Sequence, residues 1–115
     1  MLIFKPGTPS QDESFEQELS RLTSLLADMA RVGSGVPVAE LARDVPVLDR
    51  WAHGQRPASC LVGLSSGHPT LPGNGRVIVT SDLVLMSEDG SWARTRSRWY
   101  RLGRPKRAGG REWSA

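Results

Sequence analysis

At 115 residues, with 38% hydrophobic and 6% aromatic residues, the chain suits one modest domain, is too apolar for a disordered segment and has no run long enough to span a bilayer. The formal net charge of +3 hides a division: residues 1–91 hold 7 Lys/Arg against 11 Asp/Glu, whereas residues 92–115 hold 8 against the single Glu112. A basic segment on a mildly acidic body points to a polyanion, an acidic protein surface, or a solubilising tail.

Residues 1–9, with Pro6, Gly7 and Pro9, read as an irregular lead-in without the charged and apolar regions of a secretory signal. Ser10-Gln11-Asp12-Glu13 matches a capping box, and Phe15, Leu19, Leu22, Leu26 and Met29 follow at spacings of 4, 3, 4 and 3, one stripe of a helix. Asp12, Glu13, Glu16 and Glu18 near its start and Arg31 near its end suit the helix dipole, and Gly33 and Gly35 end it. The stripe has heptad spacing, which leaves a homodimer open beside its use as a monomer core. Pro37 suits the first turn of a short second helix, Val38–Arg43, with Leu41 and Ala42 on its apolar side. Asp44 can cap a third, with Pro46 in its first turn, running to His53 before Gly54 and turning Leu48, Trp51 and Ala52 inward.

After Gln55-Arg56-Pro57 the pattern changes to short β-type runs. Residues 60–64 form one candidate strand, and 65–75, rich in Gly and Pro, form a loop. Residues 76–81 read as a central strand because Val77, Ile78 and Val79 are apolar on both faces. Residues 83–86 continue it or form the next strand, and Glu88-Asp89-Gly90-Ser91 is a turn. The last strand is the long run Trp92–Leu102, ended by Gly103, Arg104 and Pro105. The expected fold class is α+β: one long and two short N-terminal helices packed on a three- to four-stranded antiparallel sheet. The expected domain is 10–103, with a helical half (10–54) and a β-meander half (55–103), followed by a basic mobile tail at 104–115.

Catalytic and metal chemistry finds little footing. The two histidines, His53 and His68, and the sole cysteine, Cys60, supply too few ligands for zinc. A Cys60/His68 nucleophilic pair lacks a third residue to orient the base. His68, in Gly67-His68-Pro69, reads as a turn residue bonded to backbone, and Gly73-Asn74-Gly75 as a tight turn without the helix a phosphate loop needs. No catalytic residue, metal or cofactor is therefore expected, and one cysteine without a disulfide partner fits a cytoplasmic setting.

The pointed signal is Trp92–Leu102. As one strand it places Trp92, Arg94, Arg96, Arg98, Tyr100 and Leu102 on a single face, with guanidiniums about 7 Å apart. Such a row can track phosphates while its aromatics stack on bases, or grip carboxylates on a protein; it can also be a charged edge strand that deters sheet-to-sheet pairing. Ala93, Thr95, Ser97, Trp99 and Arg101 share the other face; the basic tail Arg104, Lys106, Arg107 and Arg111 either extends the basic surface or is simply solvated, and Trp113 near the end has no evident place.

The series Gly67-His68-Pro69, Thr80-Ser81, Trp92-Ala93-Arg94-Thr95 and Ser97-Arg98-Trp99-Tyr100-Arg101-Leu102-Gly103 resembles a group of small uncharacterised alphaproteobacterial proteins of prophage, plasmid and other mobile DNA. The likeness covers residues 60–103 and carries no known activity. It implies a setting: a compact non-enzymatic regulator or anti-CRISPR-like inhibitor of a host nucleic-acid-handling machine. The expectation is a binding protein whose partner is a host protein or ribonucleoprotein complex, engaged through Trp92, Arg94, Arg96, Arg98, Tyr100, Arg101 and Arg104. Direct nucleic-acid binding with little sequence specificity is the alternative; no membrane is expected, and monomer and homodimer both stay open.

Overall fold

The computed structural model describes residues 1–71 and 73–106. Its element order is β1 (Leu2–Phe4), α1 (Glu13–Gly33), α2 (Val38–Leu41), β2 (Val62–Ser65), β3 (Arg76–Val79), β4 (Leu83–Ser87), β5 (Trp92–Thr95) and β6 (Trp99–Arg101), an α+β protein. The chain divides into two compact units, one of residues 11–56 and the other of residues 1–10 with the described residues from Pro57 onward.

In the first unit α1 has the expected extent, but its start is set two residues later than the capping box predicts. Asp12 is the N-cap, its Oδ1 accepting from the Phe15 amide at 2.9 Å; Ser10 instead donates its amide to Thr8 Oγ1. The chain leaves the helix through Ser34 and Gly35, whose φ of 85° is the left-handed conformation glycine adopts without strain. None of the α1 residues is buried, so the stripe expected to serve as a monomer core lies exposed but for the half-buried Phe15. α2 is one turn, shorter than expected. The third helix does not form: residues 45–48 and 51–61 are irregular, and Val47, Leu48 and Trp51 are exposed rather than turned inward. Pro46 restricts Val45 to extended backbone, and Arg50 takes a left-handed φ of 51°, so a nine-residue stretch with no face to bury cannot offset helix nucleation.

The second unit contains two sheets. The larger is four-stranded, in the order β1-β4-β5-β6, and it is mixed rather than antiparallel. The lead-in expected to be irregular supplies β1, which pairs parallel with β4 (Leu2↔Leu85, Phe4↔Ser87). β4 and β5 are joined by the expected turn, with Gly90 at φ 74°. The smaller sheet is the antiparallel pair β2-β3. Residues 76–79 are thus a strand of a two-stranded sheet, not a central strand: Ile78 is buried, while Val77 and Val79 share an exposed face with their partners Leu64 and Val62.

Burial is concentrated at a few positions. Ile78, Leu83 and Ala93 are the buried apolar residues among those described, and Ser65, Ser87 and Thr95 are buried beside them. The last two hydroxyls organise turns. Ser87 Oγ donates to Asp89 Oδ1 at 2.7 Å and accepts from the amides of Ser91 (3.0 Å) and Trp92 (2.9 Å). Thr95 Oγ1 accepts from the amides of Ser97 (3.3 Å) and Arg98 (3.2 Å) and donates to the Arg98 carbonyl at 3.2 Å.

The Thr95 turn corrects the largest expectation. Trp92–Leu102 is not one strand: after Thr95 the chain reverses through Arg96 and Ser97, the Thr95 amide donates to the Arg98 carbonyl at 2.9 Å, and β6 returns along β5. Neither Arg96 nor Ser97 has the positive φ of a usual two-residue hairpin. The threonine hydroxyl captures the turn amides instead. Thr95→Val is expected to lower stability by about 1–3 kcal/mol, because two turn amides lose their buried acceptor. Thr95→Ser, which keeps the hydroxyl, is expected to cost under about 1.5 kcal/mol. Urea denaturation of the two variants checks the difference.

Candidate functional site: a basic-aromatic hairpin

The β5–β6 register, Trp92↔Arg101, Ala93↔Tyr100 and Arg94↔Trp99, decides which side chains share a face. Paired residues of an antiparallel ladder point the same way, so the reversal changes the alternation. Trp92 and Arg94 stand with Trp99 and Arg101, not with Arg96, Arg98 and Tyr100. Arg101 lies over the Trp92 ring, 5.2 Å from its centroid, a cation–π contact. Phe4 of β1 meets Trp99 edge to face at 5.8 Å between centroids. The face is therefore a platform of three aromatic rings with Arg94 and Arg101 among them, and both tryptophans remain accessible, Trp92 at 39% and Trp99 at 52%.

The other predicted residues lie around this platform. Arg96 and Arg98 occupy the turn, which is anchored away from its own hairpin. The Arg96 amide donates to the Asp82 carbonyl at 2.8 Å, the Ser97 amide donates to Ser81 Oγ at 3.2 Å, and the two serine hydroxyls meet at 2.8 Å. Tyr100 faces the opposite side of the sheet. There, with Met86, Leu64 and Leu102, it lines an open cleft of about 1170 Å³ in which Arg101, Arg104 and Lys106 also take part. Arg107 and Arg111, the rest of the expected basic tail, and Trp113 lie outside the described residues. The structure thus joins Trp92, Arg94 and Arg101 on one face, sets Arg96 and Arg98 at its tip, and separates Tyr100 and Arg104 from it.

Sequence reasoning missed Trp99 and Phe4. Trp99 fell on the wrong side of an assumed continuous strand, and Phe4 sat in a segment read as irregular. The signal for the turn was the Thr95-Arg96-Ser97 triplet, since Ser and Thr hydroxyls can close turns by bonding nearby amides.

No described carboxylate forms an ion pair with the arginines of the hairpin. The ion pairs among the described residues are Arg21–Glu18 and Arg31–Asp28, both on α1. None of Arg94, Arg96, Arg98, Arg101 and Arg104 meets a described carboxylate in that way. Asp89 of the β4–β5 turn is occupied: the Ser87 hydroxyl, then the Ser91 amide, hold its carboxyl below the usual carboxylate range.

His68 borders the site. Its ring lies 6.2 Å from that of Tyr100, and a hollow of about 230 Å³ is shared by His68, Arg98, Trp99 and Arg101. Its Nδ1 accepts from the amides of Thr70 and Leu71, each at 3.1 Å, the backbone-bonded turn role its surroundings predict. Both donors require an unprotonated Nδ1. Desolvation, and then the charge of Arg98, lower its pKa from the ordinary value. Among the described residues no group of three His, Cys, Asp or Glu side chains stands close enough to hold a metal, and no helix is long and apolar enough to cross a membrane.

A small α+β protein with an exposed arginine-aromatic hairpin is what fold and site define. A family profile, "Family of unknown function (DUF6634)", matches residues 18–113, and the chain belongs to that family. No curated protein and no solved structure matches it.

His68 offers a direct probe of the site's field. By NMR its titration midpoint is expected below the ordinary imidazole value of about 6.5, and Arg98→Gln is expected to raise it. Because the folded state binds this proton less well than the unfolded chain, the His68 contribution to stability is intact above about pH 6.5 and is lost as pH falls below it.

Proposed function

We propose that the protein is a non-enzymatic docking protein whose β5–β6 hairpin seats on an acidic surface of a larger nucleic-acid-handling complex and blocks or regulates it. The observation that carries this reading is the company the arginines keep. Four guanidiniums without a described carboxylate partner, those of Arg94, Arg96, Arg98 and Arg101, share one hairpin with accessible tryptophans. Arg and Trp are the side chains that dominate binding energy at protein interfaces, where a desolvated guanidinium fork grips carboxylates and an indole fills a pocket. The hairpin also argues for a compact footprint. A straight row of arginines would suit a phosphate backbone, whereas Arg94 and Arg101 on a face and Arg96 and Arg98 at its tip form a cluster suited to an acidic recess.

The resemblance of residues 60–103 to proteins of mobile DNA supports a regulator or anti-CRISPR-like inhibitor as the biological form of such docking. Direct binding of single-stranded nucleic acid is the second reading. Trp92 and Trp99 favour it, because exposed indoles beside arginines can stack on bases.

Affinity purification from the native host, with and without nuclease, separates the two. The docking reading expects a partner that survives nuclease treatment. Purified partner should bind Arg94→Ala/Trp99→Ala/Arg101→Ala at least about tenfold more weakly, with Arg21→Ala on α1 unchanged. Equal affinity of the triple variant overturns the reading. A partner lost with nuclease, together with steeply salt-dependent binding of single-stranded oligonucleotides, replaces it with the second.

A further inference from the structure

α1 is 21 residues long, about 31 Å, and none of its residues is buried. Leu19, Leu22, Leu25, Leu26, Met29 and Val32 range from 44% exposed at Leu22 to 68% at Leu26. A helix of this length is marginal in water without a packed face, and a contiguous apolar stripe of this kind marks an association surface. Its spacing specifies the kind of surface it fits. Phe15, Leu19, Leu22, Leu26 and Met29 occupy successive d, a, d, a and d positions of a heptad repeat, with no polar residue among them, so the matching surface is another helix with the same repeat.

We propose that α1 pairs antiparallel with α1 of a second copy of this chain, about a two-fold axis beside Leu25. Charge and pattern select this occupant. Asp12, Glu13, Glu16 and Glu18 crowd the first part of α1 and its N-cap, and Arg31 lies in its last turn. A parallel pair would gather eight acids at one end. An antiparallel pair separates them and brings each acidic end toward the other copy's Arg31. The heptad register agrees. Setting Leu22 against Leu26 of the other copy, and Leu19 against Met29, places Leu25 opposite its own copy. Glu16 then meets Ala30 and Glu18 meets Val32, so no acid confronts an acid along either flank. Leu25 and Val32 are apolar residues at flanking g positions, where a helix facing water carries charge; the antiparallel pair buries both.

Sedimentation equilibrium of the full chain under reducing conditions tests the pairing. Twice the chain mass is expected at micromolar concentrations, with Leu22→Glu/Leu26→Glu associating at least about a hundredfold more weakly and Ser20→Glu, on the far side of the helix, unchanged. A single-chain mass up to millimolar concentration overturns the proposal, as does a dimer indifferent to the double substitution. Because that variant could lose α1 outright, Leu25→Cys in a Cys60→Ser background gives an independent reading. Oxidation should link the two copies through residue 25 in the antiparallel pair, and a dimer that resists this link overturns the antiparallel arrangement.

Discussion

Thr95 sits at 1% exposure, and its hydroxyl makes three hydrogen bonds to the turn that follows it: two amides donate to it and the Arg98 carbonyl accepts from it. That one buried oxygen determines which way every arginine of the segment faces. Were the chain to run straight on, Arg94, Arg96 and Arg98 would form a row on one side. With the turn closed, Trp99 and Arg101 swing round to join Trp92 and Arg94, and Arg96 and Arg98 are carried to the tip. The same turn is secured from outside by Ser81 and the Asp82 carbonyl, so the site's geometry rests on hydroxyl and backbone groups rather than on charge. The guanidiniums take no part in the hydrogen bonds that close the turn.

That separation has an electrostatic consequence. Clustered guanidiniums repel one another, and a protein that needed them only for solubility would be expected to intersperse acids. Here the β4–β5 turn keeps Asp89 engaged with Ser87 and Ser91. His68 accepts amides on Nδ1 and so adds no charge near neutrality. Arg101 rests on the Trp92 ring, which holds the guanidinium in place while leaving its hydrogen-bond donors available. A pre-ordered arginine loses less side-chain entropy on meeting a carboxylate than one that swings freely in solvent.

Much of the fold was legible where a local rule had no rival. α1 follows from its 3.6-residue stripe and its dipole-matched charges; β4 is one of the two readings that the apolar run 83–86 allowed, and the turn after it follows from Asp89-Gly90. The failures share a cause. Val45–His53 carries helix signals, but its apolar residues find nothing to bury, and Arg50 takes a left-handed conformation. Leu2–Phe4 carries no strand signal of its own and becomes one by pairing with β4, about eighty residues away. The Thr95 turn uses a side-chain acceptor in place of glycine or asparagine. For the candidate site, the sequence showed arginines and aromatics gathered in one segment, while the facing of Tyr100 and the grouping of Trp99 and Phe4 with Trp92 depended on a turn whose chemistry is not of the usual kind.

Burial joins these features. Among the described residues Ile78, Leu83 and Ala93 are few fully buried apolar residues for a chain of this size, and small domains bury a limited share of their surface even with a full core. Two of the three buried polar residues are turn hydroxyls that saturate their hydrogen bonds, and no buried side-chain polar atom among the described residues lacks a partner. Backbone pairing and hydroxyl-closed turns therefore hold the sheet, together with apolar side chains, such as Phe4, Leu85 and Met86, that are only half-buried. The larger apolar side chains, meanwhile, lie on α1 and on the Val62, Leu64, Val77 and Val79 face of β2-β3. Hydrophobic stabilisation unused within one chain remains available between chains, because burial is favourable wherever the covering surface comes from. The arginine hairpin and the α1 stripe are the two surfaces that the proposed associations would use, and they differ in chemistry: one offers charge, the other an apolar repeat.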